Sequence, residues 1–284
     1  MASVIPIAAS ISLLCLLPGL IRLRRAVRAT TLLGAWRWAI AGWTAWGIAW
    51  TLELLPIAAA YQDQLWYAAL VLGLCPPIAA LGGKRPGAKV WNAFVVIPLM
   101  LVFAWPALAT WVHQIPPARL ELETPTLIGF GLVLLMGFGN YLGTRNSLPA
   151  LLVAISLGWL AWQFAESPEP EHSREPIGPT VLLLAAGLIS QFQARRTADE
   201  QKGWNRVWRD FQEAFGVVWA KRLMDRINHT AQTENWPARW GNHGLAWDAG
   251  VTETQKAETL PRIDHTLRWL LRRFVDAEWI DERL

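Results

Sequence analysis

Glu53 is the residue of this sequence whose setting most suggests chemistry. It is the single charged side chain of residues 38–59. Because an ionised carboxylate in hydrocarbon is costly, such a residue is expected to face other protein groups and is a candidate for function. Trp50 precedes it by three residues and shares its helical face, and Trp46 lies one turn deeper. Two interpretations stay open: a functional carboxylate, or a structural one hydrogen-bonded to neutral groups such as indole N–H groups.

Two further polar side chains belong to the same candidate site. His113 and Gln163 lie, like Glu53, near the ends of predicted spans that reach one face of the membrane. Gln163 is a candidate hydrogen-bond partner of Glu53, and Glu53 with His113 is the pair that an intramembrane enzyme would use. The tryptophans near Glu53 are expected to fill space between helices, and the alternative is an aromatic cage for a cation.

The sequence predicts neither a metal site nor a cofactor. Its two cysteines, Cys15 and Cys75, each lie in an apolar stretch and form no Cys-x-x-Cys or Cys/His pattern. The histidines show no His-x-x-x-His spacing. The sequence also lacks the common phosphate-binding, dinucleotide-binding and hydrolase motifs. These observations favour a non-enzymatic role.

Seven apolar stretches approach the roughly 20 residues that a helix needs to cross a bilayer. They lie near residues 3–20, 37–59, 64–82, 91–112, 126–144, 148–165 and 177–194. Pro76 and Pro77 in the third stretch, and Pro98 and Pro106 in the fourth, are expected to break these two helices. Broken helices line binding sites in transporters. From the seven apolar stretches, residues 1–195 are predicted to form a seven-span bundle.

The basic residues of the predicted loops decide the orientation of this bundle. With the N-terminus outside, the outer loops hold only Arg119 and Arg174 as basic residues. The inner loops then hold Arg22, Arg24, Arg25, Arg28, Arg37, Lys84, Arg85, Lys89 and Arg145. Because cytoplasmic loops carry an excess of Lys and Arg, the sequence predicts a multi-pass protein of the cell membrane with its C-terminus in the cytoplasm.

Residues 204–284 differ in composition from the rest of the chain. Residues 195–284 hold 15 basic and 14 acidic side chains, a near balance that gives no nucleic-acid signal. After a polar linker at 196–203, apolar side chains recur at helical spacing over 204–231 and again after Pro261. Residues 233–260 are expected to be loop with a short hairpin. Five tryptophans are candidate anchors for a cytoplasmic protein partner: Trp204, Trp208, Trp236, Trp240 and Trp247.

The predicted fold class is all-α: a polytopic membrane protein with seven transmembrane helices and a small, mainly helical cytoplasmic C-terminal domain. Its expected partners are the lipid bilayer and a cytoplasmic protein, and nucleic acid is not among them. The leading interpretation of function is a membrane scaffold or assembly factor whose tail binds that protein. The alternatives are a small-molecule or ion carrier that uses Glu53 and broken helices three and four, an intramembrane enzyme, and a sensor.

Overall fold

The chain folds almost entirely into helices. The computed structural model describes residues 4–113, 117–165, 174–196 and 203–284, and of His113, Arg195 and Arg196 the backbone only. Helices account for 75% of the structure, and two short strands complete it. The predicted all-α class is therefore confirmed.

Each of the seven predicted apolar stretches overlaps a helix, and the fourth stretch overlaps two. In chain order these are α1 (Val4–Val27), α2 (Leu33–Leu52), α3 (Ala59–Leu81), α4 (Ala88–Trp91), α5 (Ile97–His113), α6 (Thr124–Gly139), α7 (Ser147–Gln163) and α8 (Ile177–Arg196). Among the described residues, four helices are long and apolar enough to cross a membrane, which is fewer than the seven predicted: Val4–Val27, Ala59–Leu81, Ala88–Val112 and Ile177–Ala194. Helices α6 and α7 are apolar but shorter.

The outside of the helical bundle is strongly apolar. Many large side chains are exposed there, among them Phe94 at 76%, Leu135 at 68% and Trp105 at 66%. A soluble monomer rarely exposes contiguous apolar patches of more than a few hundred Å². This surface, together with the four long apolar helices, fits insertion into a membrane.

The two helices that were predicted to be broken are continuous. Helix α3 runs through Pro76 and Pro77 without interruption. A π-helical turn (Asn92–Val96) joins α4 to α5, and in it the Ile97 N–H donates to the Asn92 carbonyl. The turn lies directly before Pro98, which has no N–H to donate, so the wider turn accommodates the proline without breaking the helix.

The helix ends form two faces of the bundle, which we name by their neighbours. The module end comprises loops 28–32, 82–87 and 140–146, which contact the C-terminal residues. The far end comprises residues 53–58, 117–123, 164–165 and 174–176. A hydrophobic core that includes Trp46, Trp66, Tyr67, Phe130 and Phe164 fills the space between the two ends.

Glycines allow close contact between helices inside the bundle. A Cβ added at Gly137 of α6 would lie 2.7 Å from the Cβ of Pro77 in α3. A Cβ added at Gly131, two turns away on the same helix, would meet nothing within 4 Å. We expect Gly137→Ala to lower the free energy of unfolding by about 1–3 kcal/mol through overpacking. Gly131→Ala should leave stability unchanged or raise it slightly, and thermal unfolding of the two variants in detergent measures the difference.

Residues 203–284 form the C-terminal module, whose helices are longer and more bent than predicted. Helix α9 (Trp204–Thr233) kinks at Gly216, where φ is 79° and ψ is 178°. Strands β1 (Ala238–Gly241) and β2 (Gly244–Trp247) form the expected antiparallel hairpin. Helix α10 (Glu253–Leu271) begins eight residues before Pro261, so the prediction of a loop up to residue 260 was wrong. The short helix α11 (Ala277–Asp281) ends the module.

The start of α10 has a local cause that the sequence contains. Thr252 and Gln255 form a capping box, in which the Thr252 hydroxyl accepts from the Gln255 N–H and the Gln255 side chain accepts from the Thr252 N–H. Two backbone donors of the first turn are thereby satisfied. The proline at 261 then lies inside the helix rather than at its first turn.

Candidate functional site

Glu53 lies one residue beyond the end of α2 and not inside a span. The helix ends at Leu52. Leu55 follows three residues later and directly precedes Pro56, and a residue in that position is disfavoured in a helix. A Glu53 carboxylate oxygen accepts a hydrogen bond of 3.0 Å from the indole N–H of Trp66. The prediction that Glu53 lies inside a helical span, near its end, is therefore wrong, and the structure shows Glu53 as a half-buried acceptor for a neutral donor at the far end.

Trp46 and Trp50 surround this indole but do not form an open cage. Their rings meet the Trp66 ring edge-on, with centroid distances of 5.6 Å and 5.3 Å. All three rings are at most 2% exposed. Both Trp46 and Trp50 donate their indole N–H to the hydroxyl oxygen of Thr180, each at 2.9 Å. The Thr180 hydroxyl donates in turn to the Pro176 carbonyl at 2.7 Å.

This closed network predicts a clear difference between two substitutions at one site. Thr180→Val keeps the shape of the side chain but removes the acceptor of two buried indole N–H groups. We expect it to lower the free energy of unfolding by about 1–3 kcal/mol per unsatisfied donor. Thr180→Ser keeps the hydroxyl and should cost less, and thermal unfolding in detergent compares the two. Equal losses would show that the methyl group, and not the hydrogen bonds, carries the contribution.

The other two predicted site residues do not join Glu53. Gln163, the last residue of α7, donates its side-chain N–H to the Glu175 carbonyl at 2.8 Å, so the predicted Glu53–Gln163 pair does not form. His113 is the last residue of α5, and its side chain lies outside the described residues. The structure therefore brings together Glu53, Trp46 and Trp50, but around Trp66 and Thr180, which the sequence did not single out.

A buried charged cluster at the far end was missed by the sequence analysis. Asp63, in α3, is 2% exposed. Its carboxylate accepts from Arg119 Nε at 2.7 Å, from Arg174 Nε at 3.1 Å and from the Leu120 N–H at 3.2 Å. The Arg174 guanidinium also donates to the carbonyl oxygens of Gln163 and Leu120. We call Asp63, Arg119 and Arg174 the far-end cluster.

The far-end cluster fastens three chain segments to α3. Arg119 belongs to the segment before α6, and Arg174 to the segment before α8. The guanidinium carbon of Arg174 lies 4.1 Å from the centre of the Phe164 ring at the end of α7. Burial lowers the pKa of Arg174, although the Asp63 carboxylate acts in the opposite direction. One signal in the sequence pointed here: Arg119 and Arg174 are the only basic residues of the predicted outer loops.

The C-terminal module is attached to the opposite end by a second polar site. The Asn140 side chain, 3% exposed, donates to the Phe215 carbonyl and accepts from the Val218 N–H, each at 3.0 Å. The Asn140 carbonyl accepts from the Val217 N–H at 2.8 Å. These bonds satisfy the backbone groups that the kink at Gly216 removes from the ladder of α9.

The loop between α1 and α2 also binds the module through its backbone. Thr30 and Val275 form an antiparallel bridge. The Thr31 N–H donates to the Phe274 carbonyl, and the Asp276 N–H donates to the Ala29 carbonyl, both at 2.8 Å. This pattern resembles a single rung of a sheet and fixes the segment between α10 and α11 against the bundle.

The loop between α3 and α4 supplies the third attachment. The Arg85 N–H donates to the Arg273 carbonyl at 2.7 Å, and the Arg85 guanidinium forms an ion pair of 2.6 Å with Asp276. The indole N–H of Trp219 donates to the Leu81 carbonyl at 3.0 Å. Leu32 and Ala80 from the bundle share one apolar core with the module. The module thus packs on itself and on three loops at the same time.

The candidate partner-binding tryptophans lie mainly inside this core. Trp208, Trp236 and Trp240 are at most 7% exposed. Trp204 and Trp247 are half-buried, and the Arg268 guanidinium lies 5.9 Å from the centre of the Trp204 ring. A partner would reach the first three indoles only if the module opened, so partner binding by these tryptophans stays a prediction.

Comparison with protein-family models, with curated proteins and with solved structures finds no match to this chain.

Proposed function

We propose that this protein is a seven-span membrane scaffold that holds its C-terminal module against the cytoplasmic surface of the cell membrane. In this proposal α2, α6 and α7 cross the membrane together with the four helices that are long and apolar enough to do so. The module end is the cytoplasmic end, because the inner loops with the basic residues lie there. The module then offers its solvent-facing surface to a cytoplasmic protein.

The observation that carries the proposal is the attachment of the module to three loops at once. Asn140, Thr31 and Arg85 each belong to a different loop, and each forms a hydrogen bond with the backbone of the module. A tail tethered only by a linker would not need such contacts. Fixed placement is what a scaffold requires, because preorganisation lowers the entropic cost of assembling a partner on it.

The closed packing around Glu53 also supports a structural role. Trp46, Trp50 and Trp66 are buried and bond to Thr180 or Glu53, so this part of the protein is filled with mutually satisfied side chains. The arrangement stabilises the far end and gives Glu53 an acceptor role. A scaffold needs a rigid bundle of this kind beneath its module.

Labelling of single cysteines tests the proposed topology. In a background without Cys15 and Cys75, a cysteine at Lys89 should react only with a reagent that has crossed the membrane. A cysteine at Glu121 should react with an impermeant reagent added from outside. Both positions are exposed. The reverse pattern would place the module outside the cell and end the scaffold proposal in this form.

Crosslinking in intact cells tests the scaffold role itself. We expect crosslinks from Lys221 and Lys256, both on the module, to one or a few cytoplasmic proteins. Asn140→Ala, which loosens the module, should reduce these crosslinks several-fold. Asp225→Asn, which removes an exposed ion pair with Lys221, is the matched control and should leave the Lys256 crosslinks unchanged. Crosslinks that are indifferent to Asn140→Ala would contradict the need for fixed placement.

A carrier is the second candidate, and one observation favours it. The far-end cluster places opposite charges of Asp63, Arg119 and Arg174 face to face at one depth, where a closed outer gate of a carrier would lie. The purified protein in liposomes would then transport a solute, and Asp63→Asn would change its rate. A scaffold predicts no such flux.

A further inference from the structure

The last two turns of α1 and the residue after its end carry exposed arginines without acidic partners among the described residues. Arg22, Arg24, Arg25 and Arg28 are all exposed, and none of them forms an ion pair with a described residue. The first acidic residue of the whole chain is Glu53, at the other end of α2. The Arg24 guanidinium carbon lies 5.7 Å from the centre of the Trp36 ring. This part of the module end therefore has a concentrated positive charge that the described residues leave uncompensated.

The arginines follow an exposed apolar stripe of the same helix. Ile7, Leu14 and Ile21 are 46%, 64% and 52% exposed, and they recur every seven residues. Arg28 is the next position of this series, and Arg24 and Arg25 lie within one turn of it. Because seven residues make nearly two turns, Ile7, Leu14 and Ile21 share one face of α1, and Arg28 directly follows the last residue of the helix, Val27. The distance from Ile7 to Arg25 is roughly 27 Å along the axis, close to the thickness of a bilayer core.

We propose that Arg24, Arg25 and Arg28 bind the headgroup phosphate of an anionic phospholipid, whose acyl chains lie along the stripe above them. The guanidinium fork matches phosphate oxygens in geometry and charge. Exposed Ile21 and Leu23 flank the arginines, and this apolar surface selects a lipid over free phosphate. Clusters of four or more basic residues at the cytoplasmic end of a membrane helix attract anionic lipids.

This inference rests on the membrane insertion of α1, and not on the partner of the module. It also differs from a general charge effect, because it names one face of one helix. Arg24 and Arg25 lie about 60° and 40° around the helix from Ile21, the last apolar residue of the stripe, whereas Arg22 lies about 100° from it and is not part of the proposed site.

The test uses the full chain in a neutral detergent, where orientation in a membrane has no influence. Dihexanoyl phosphatidylglycerol, dihexanoyl phosphatidylcholine and inorganic phosphate are titrated separately, and binding is measured by the shift of the apparent melting temperature and by native mass spectrometry. We expect dihexanoyl phosphatidylglycerol, the anionic lipid, to bind at least tenfold more tightly than dihexanoyl phosphatidylcholine. The triple variant R24Q/R25Q/R28Q should bind the anionic lipid more weakly, by on the order of fivefold per arginine, and should therefore lose that preference.

A matched triple variant separates this site from the net charge of the protein. R226Q/R239Q/R262Q removes the same charge from exposed positions of the module and should keep the full lipid preference. If the first triple variant misfolds, R25Q and R28Q alone should each weaken binding of the anionic lipid.

Three outcomes would overturn the proposal. The first is equal binding of the two lipids, and the second is equal loss in both triple variants. The third is binding of inorganic phosphate as tight as that of dihexanoyl phosphatidylglycerol, which would assign the arginines to a soluble anion. If the cysteine-labelling experiment gives the reverse pattern while lipid binding is normal, the proposed topology is rejected and the lipid site is retained.

Discussion

Asp63→Asn should be the most damaging conservative substitution in the bundle. It leaves the guanidinium groups of Arg119 and Arg174 without their shared carboxylate, and the Arg174 side chain is only 4% exposed. Breaking a buried ion pair from one side costs about 3–5 kcal/mol, because an uncompensated charge stays buried. We expect the apparent melting temperature in detergent to fall on the order of 10 °C.

The chain offers a control and a partial rescue for this experiment. Asp225→Asn removes an equivalent carboxylate from an exposed pair with Lys221 and should change stability by less than about 0.5 kcal/mol. Adding Arg174→Met to Asp63→Asn removes the buried charge and should recover part of the loss. A melting temperature of Asp63→Asn equal to that of the wild type would show that the far-end cluster contributes nothing to the fold.

Gly216→Ala should detach the C-terminal module from the bundle. At this kink φ is 79°, and the new Cβ would lie 2.2 Å from the Asn140 Nδ2 and 2.5 Å from the Asn140 carbonyl oxygen. Backbone strain at such a position costs on the order of 1–3 kcal/mol, and the clash adds to it. Hydrogen exchange of the Val217 and Val218 N–H groups, which donate to Asn140, should accelerate by at least tenfold.

Gly143→Ala separates strain from contact in this prediction. Gly143 also has a positive φ, of 84°, but an added Cβ would meet nothing within 4 Å. That variant should lose about 1–2 kcal/mol from strain while Val217 and Val218 remain protected. Equal exchange rates in the two variants would mean that the Asn140 contacts do not hold the module.

The helices could be predicted from the sequence far better than the sites. Uninterrupted apolar runs are typical of helices that bury or insert most of their surface, so each predicted stretch overlaps a helix. Hydropathy does not detect where a helix ends, however, because residues 54–60 are apolar as well as 38–52. For this reason Glu53 was placed inside a span, although Pro56 ends the helical pattern before it.

The far-end cluster could not be predicted because its members are distant in the chain. Arg119 and Arg174 follow Asp63 by 56 and 111 residues, and no local pattern pairs them. Their isolation among the basic residues was visible, but it was interpreted only as evidence for the orientation of the bundle. Thr180 was missed for a related reason: a single hydroxyl in an apolar helix gives no signal until its two indole partners are known.

The attachment of the module was likewise invisible in the sequence. It is made mainly by backbone groups of Ala29, Thr31, Arg85 and Asn140, and backbone bonds do not depend on distinctive side chains. Gly216 lies within a regular amphipathic pattern, and nothing in that pattern marks a positive φ. The capping box at Thr252 was present in the sequence, but the helix was predicted to begin at Pro261, because proline is favoured in the first turn of a helix.

A disulfide between the bundle and the module is the most direct test of the central claim that the module is docked on the loops. Thr30 and Val275 are bridge partners, and such residues have Cα atoms about 4.5–5.5 Å apart, within the range for a disulfide. In a background without Cys15 and Cys75, we expect T30C/V275C to crosslink rapidly and almost completely in native membranes under a mild oxidant. T30C/A257C, with its second cysteine on the exposed first half of α10, should crosslink slowly. Equal slow crosslinking of both pairs would contradict docking of the module on the bundle.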